Sequence, residues 1–151
     1  MKFTRFRKIT ACTLAAIAAT LLFQTSIARA AGHGPIRINF VKCIEDDGHY
    51  EGNITGDLGG GTVRFDFVSV VPGDVIWRFS GFYTIRTDQG VIIEVLAEGI
   101  DNLRSGGGHD VLNGEVTAGD YLYLGAQAHV RAHDFNEGLC SEGTITITPR
   151  K

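Results

Sequence analysis

An all-β fold, a single antiparallel β-barrel of seven or eight strands, is what this sequence predicts, with a β-sandwich as the alternative. Three observations lead there. Beyond residue 30 no stretch carries the 3.6-residue apolar period of an amphipathic helix. Short stretches instead alternate apolar and polar residues with period two, the mark of half-buried strands. Turn-forming segments rich in Gly, Asp and Pro separate them, and all 20 glycines fall after residue 30. A sheet of that many strands loses its exposed edges by closing on itself or by splitting into two layers.

The first thirty residues stand apart. Lys2, Arg5, Arg7 and Lys8 make a basic start, an apolar run extends from Ile9 to Phe23, and Ala28-Arg29-Ala30 has the small-x-small form of a cleavage site. This is the pattern of a secretory signal peptide, with an apolar run short for a membrane span. The expected mature product is one domain, residues 31–151, secreted or periplasmic and free of the membrane once the signal is removed. It carries nine Lys/Arg against seventeen Asp/Glu, a net charge of −8. With no continuous basic patch, nucleic acid is excluded as a partner. Cys12 is lost with the signal, which leaves Cys43 and Cys140. In an exported chain a lone pair most simply forms a disulfide, and no C-x-x-C spacing points to redox chemistry.

Taken in order, Ile36–Cys43 is the first strand, with Ile36, Ile38 and Phe40 on one side and Arg37, Asn39 and Val41 on the other. Glu45–Gly48 turns into a short strand over His49–Thr55. Gly56–Gly61 is a flexible loop or bulge. Thr62–Val71 places Val63, Phe65 and Phe67 on one face. Pro72-Gly73-Asp74 makes a hairpin turn, because Pro presets φ and Gly accepts a positive one. Val75–Thr87 returns with Val75, Trp77, Phe79, Tyr83 and Ile85 on one face, so the two strands offer matched aromatic faces. Gly81 interrupts that row, as at a bend or a close backbone approach. After the turn Asp88-Gln89-Gly90 comes a strand over Val91–Ala97, then a polar, Gly-rich connection from Glu98 to Gly108. Val111–Thr117 and Tyr121–Ala132 form the next hairpin. From Tyr121 onward the residues alternate, with Tyr121, Tyr123, Gln127, His129, Arg131 and His133 on one face. Glu142–Thr148 is the last strand.

From Thr62 on, the order of features resembles the allene oxide cyclase-like and dirigent-like β-barrels. The likeness rests on Gly59-Gly60-Gly61-Thr62 ahead of a strand and on Phe82-Tyr83-Thr84-Ile85 running into Asp88-Gln89-Gly90. It rests also on a strand ending at Gly99 and on Gly114–Tyr121 (GEVTAGDY) followed by Leu124-Gly125-Ala126. It spans about residues 53–148. Where that family carries a Gly-Gly pair this chain has Gly114-Glu115. The resemblance implies a barrel whose activity, if it has one, is cyclisation or guided coupling in a shaped apolar cavity. It assigns no catalytic residue.

Chemically capable side chains concentrate in the Tyr121–His133 stretch. His129 and His133 stand about 13 Å apart on an extended strand, at roughly 3.3 Å per residue, too far to share an ion; no metal site and no cofactor is expected. Gly106–Gly114 (GGGHDVLNG) fits one copy of a calcium-binding nonapeptide, but such sites hold ions between stacked copies and the next step from Asp110 falls on Gly119. No serine lies in a G-x-S-x-G context and no phosphate loop is present. The expected function is therefore binding of an apolar small molecule or a protein partner, with Trp77, Tyr83, Tyr123, Gln127, His129 and Arg131 as candidate lining. The alternatives are a cofactor-free cyclase or isomerase working in the barrel cavity, and a calcium-binding surface module. Cys43 and Cys140 are expected to be bridged.

Overall fold

A computed structural model describes residues 34–105 and 107–150; the expected signal peptide, 1–30, lies outside the described residues. Eight strands follow one another: β1 (Ile36–Ile44), β2 (Tyr50–Gly56), β3 (Gly61–Val71), β4 (Ile76–Thr87), β5 (Ile92–Asn102), β6 (His109–Gly119), β7 (Gln127–Phe135) and β8 (Cys140–Thr148). Each pairs antiparallel with the next, and β8 returns to β1, so the sheet is a closed barrel in chain order. The barrel is the predicted fold; the sandwich is not formed.

Alternation decides which side chains go inside. On β1 the row Ile36, Ile38, Phe40 is buried while Arg37, Asn39 and Val41 face out. The same rule buries Val63 and Phe65, Tyr83 and Ile85, Ile93 and Val95, Leu112 and Val116, Val130, and Ile145 and Ile147, each at most 1 % exposed. These fill the lumen over most of its length, as expected for eight strands. Phe65 on β3 sits opposite Tyr83 on β4, with ring centroids 4.5 Å apart, so the matched aromatic faces do meet. Gly81 is a close approach: a Cβ there would strike the Phe65 ring and the Asp66 carbonyl.

Cys43 and Cys140 are register partners on β1 and β8 and are disulfide-bonded across 97 positions of sequence. The bridge fastens the first strand to the last, along the seam that closes the barrel. It fits an oxidising, extracytoplasmic environment.

Two expectations are corrected. The polar stretch after Ala97 is not a connection: β5 runs on to Asn102, because Gly99 and Asp101 continue the inward row of Val95 and Ala97. Nor does Tyr121 begin a strand. Residues 120–126 wind as a turn, with Asp120 accepting from the Leu122 and Tyr123 amides and positive φ at Gly119 and Gly125. The alternation of Tyr and Leu there is a turn's sequence, and Tyr121 is 82 % exposed while Tyr123 is buried.

The strand ends define two barrel ends. At one, where β1 starts, Leu58 and Tyr123 from the β2–β3 and β6–β7 turns tuck inward and close the lumen. At the other, where β1 ends, the lumen stays open.

Candidate site at the open end of the barrel

At the open end the inward rows change character. The β1 row Ile36-Ile38-Phe40 continues to Lys42. The β5 row ends at Asp101, the β6 row starts at Asp110, and the β7 row Ala128-Val130-Ala132 ends at Asp134. Asp101 and Asp110 are direct register partners. Lys42 and Asp134 both pair with Ser141 of β8, one from each side. The four ionisable groups thus sit near one level of the barrel, above the apolar core.

They floor a cavity of about 410 Å³ whose wall is largely aromatic: Tyr50, Phe65, Phe67, Trp77 and Phe79, with Ile44, Val70 and Leu103. The Phe67 ring lies 4.9 Å from Phe65, 5.8 Å from Phe79 and 6.0 Å from Tyr50. At the rim, the β7–β8 turn holds Asn136 and Glu137 at φ 53° and 59°, a left-handed conformation that non-Gly residues adopt at a cost. The Tyr50 hydroxyl donates to the Gly138 carbonyl at 3.0 Å and ties that turn to β2.

Lys42 is 4 % exposed. Its Nζ lies 4.2 Å from the Tyr50 ring centroid, 5.2 Å from Phe65, 5.6 Å from Phe40 and 5.9 Å from Tyr83, so π-faces stand where water would otherwise solvate the ammonium. Burial lowers its pKa to about 8, against the opposing pull of Asp110 and Asp134. Burial and the neighbouring Asp134 push Asp110 up to about 7, with Lys42 working the other way. Asp101 and Asp134 are also raised, chiefly by burial. The carboxylate oxygens of Asp101, Asp110 and Asp134 lie within 4.8 Å of one another, a spacing that could hold a cation. They leave no room for a Cβ at Gly108, which would run into the Asp101 and Asp134 carboxylates. Asp101 Oδ1 and the Tyr83 hydroxyl are buried without a hydrogen-bond partner, a costly condition for polar atoms.

The residues expected to line a pocket are dispersed. Trp77 stands in the cavity wall. Tyr83 lies in the core beneath it, 0 % exposed, with its ring centroid 5.9 Å from Lys42 Nζ. Tyr123 is at the far end of the barrel. Gln127, His129 and Arg131 point outward, because Ala128 and Val130 between them are the buried positions. There Arg131 donates to His129 Nε2 at 3.0 Å and His129 Nδ1 meets Asn113 at 2.8 Å, a surface network. Asp110, the acid of the nonapeptide pattern, is 6 % exposed and turned into the barrel. Lys42, Asp101 and Asp134 were not among the expected site residues. The signal was there: each extends an apolar row by one more step of two.

No family model, curated protein or solved structure matches this chain.

Proposed function

We propose that this chain is an exported barrel, secreted or periplasmic, that takes an apolar small molecule into the cavity at its open end and holds the molecule's polar end against Lys42 and the three aspartates. The observation that carries this is the cavity itself: about 410 Å³, largely aromatic in its wall, with Lys42, Asp101, Asp110 and Asp134 at its floor and Glu137 at its rim. Ligand sites commonly combine a mostly apolar concavity with a few converging polar groups. A protein partner would need a protruding side chain to use such a hole, so the small molecule is the better occupant.

A second reading, a cofactor-free isomerase or cyclase in the same cavity, is favoured by one further observation. Burial lowers the Lys42 amine and raises the Asp110 carboxyl from their ordinary values, which draws the two toward each other. Such a pair can take a proton from one atom of a bound ligand and return it to another. The resemblance to cyclase barrels points the same way, as an analogy of fold and not of site.

Trp77 is the only tryptophan of the chain and stands in the cavity wall. Its fluorescence therefore reports occupancy. A panel of apolar alcohols, acids and carbonyl compounds should include members that saturate a Trp77 signal at micromolar concentration. A panel that leaves the signal unmoved, with native mass spectrometry of the source-purified protein showing no retained molecule, would sink the binding reading.

A further inference from the structure

Lys42 is placed as a nucleophile. Its amine stands at the floor of the cavity, among aromatic faces, with the carboxyl groups of Asp101, Asp110 and Asp134 on the inward rows of β5, β6 and β7 and an apolar chamber above it. We propose that the open-end cavity captures apolar aldehydes or ketones covalently, as an imine on Lys42 Nζ. This rests on the reading of the cavity as a small-molecule site and names the substrate class.

The chemistry balances on the groups present. The Lys42 ammonium gives one proton to an aspartate of the floor, and the freed lone pair attacks the carbonyl carbon. The carbonyl π pair moves to oxygen, which takes a proton from a carboxylic acid to give the carbinolamine. A second nitrogen proton passes to the floor carboxylate and is delivered to the hydroxyl. Water leaves with the C–O pair, and the nitrogen lone pair forms the C=N bond. The sum is ammonium plus carbonyl giving iminium plus water, with no oxidant or cofactor. Each proton transfer needs a carboxyl that can be acid and then base near neutral pH, which the buried position of Asp110 provides. A desolvated amine is the usual state of an imine-forming lysine. The aromatic wall of Phe67, Trp77 and Phe79 would hold the apolar tail.

The sequence makes the test clean. The chain has four lysines, Lys2, Lys8, Lys42 and Lys151, of which the first two fall in the expected signal. The exported protein is incubated with cinnamaldehyde and cyanoborohydride, which reduces the iminium and spares the disulfide, and is then digested and mapped by mass spectrometry. Binding without chemistry is followed in parallel by Trp77 fluorescence with cinnamyl alcohol, which lacks the carbonyl. The expected result is a reduced adduct on the Lys42 peptide, at least tenfold above that on Lys151, and its loss in Lys42→Arg. Lys42→Met serves as the second variant, with folding checked by circular dichroism. An adduct confined to Lys151 or the N-terminal amine overturns the proposal. So does cinnamyl alcohol binding with no Lys42 adduct, which leaves the cavity reading intact. Neither binding nor adduct overturns both.

Discussion

The two ends of this barrel are built from the same alternating rows and finish them differently. At the closed end the rows run out in Ile36, Ile93, Val116 and Ile147, and the turns fold Leu58 and Tyr123 over them. At the open end the rows run out in Lys42, Asp101, Asp110 and Asp134, and a cavity stands above them with Leu103 and Glu137 of the turns in its wall. The closed end is a finished core. The open end gives up stability to draw ionisable groups out of water: Lys42, Asp101 and Asp110 are buried and Asp134 partly so, where apolar side chains would fit. That contrast is what makes the second end the candidate site.

Its seam is the strongest place to attack it. The disulfide joins β1 to β8 one residue beyond Lys42. In a chain-entropy description a loop of about 100 residues is worth roughly 4.7 kcal/mol. Replacing both Cys43 and Cys140 by Ser should therefore lower unfolding free energy by about 4 kcal/mol in urea titration, the largest single effect expected. Tyr123→Ala, which opens the plug, should cost about 3 kcal/mol of stability and leave cavity occupancy, read by Trp77 fluorescence, unchanged. If it abolishes occupancy, the two ends are not independent.

Acidity should separate them next. Asp101, Asp110 and Asp134 have raised folded pKa values, so the folded chain binds more protons than the unfolded one above their ordinary value near 4. Their contribution to stability is lost as pH rises, for Asp110 through about 7. Lys42 has a lowered value, so from about pH 8 toward 10.5 the unfolded chain holds more protons and stability recovers. Asp66, held below its usual range by its exposed partner Arg64, works in the opposite sense to the other aspartates, at lower pH. Melting temperature should thus pass through a minimum between about pH 7 and 8. Asp110→Asn should flatten the acid side of that minimum and Lys42→Met the alkaline side. A profile rising monotonically from pH 4 to 7 would show that the open end is not the desolvated cluster described.

Smaller effects sharpen the same contrast. Phe67→Ala removes a half-exposed wall ring and should cost only about 1 kcal/mol of stability, while weakening a ligand that stacks there about tenfold, near 1.4 kcal/mol. Gln127→Ala, His129→Ala and Arg131→Ala, outside the barrel, should each stay within about 0.5 kcal/mol and leave occupancy untouched.

The fold was legible because a closed sheet is specified by period two, and rows such as Ile36-Ile38-Phe40 or Thr144–Thr148 state it without ambiguity. The cystine pair was legible because two thiols in a chain expected to be exported have few alternatives. What misled was the end of the pattern. Polarity at Glu98–Asn102 reads as loop only if charged residues are assumed to face water; Asp101 instead extends the row of Val95, Ala97 and Gly99 inward. Tyr121–Leu124 alternates as a strand would, but Gly119, Asp120 and Gly125 wind it into a turn, which leaves Gln127, His129 and Arg131 outside. The site was hidden for a physical reason. A single residue such as Lys42 or Asp134 looks like surface, and only closure of the barrel, which brings residues far apart in the chain to one level, turns four of them into a floor.

One consequence of the closed meander concerns attachment. Because the strand number is even and β1 begins beside the finish of β8, with Ile36 opposite Ile147, both exits of the chain from the barrel lie at the plugged end. A linker, an affinity handle or a surface coupled at either terminus would orient the mouth away from itself. The molecule can be immobilised as an array of upward-facing cups without redesign.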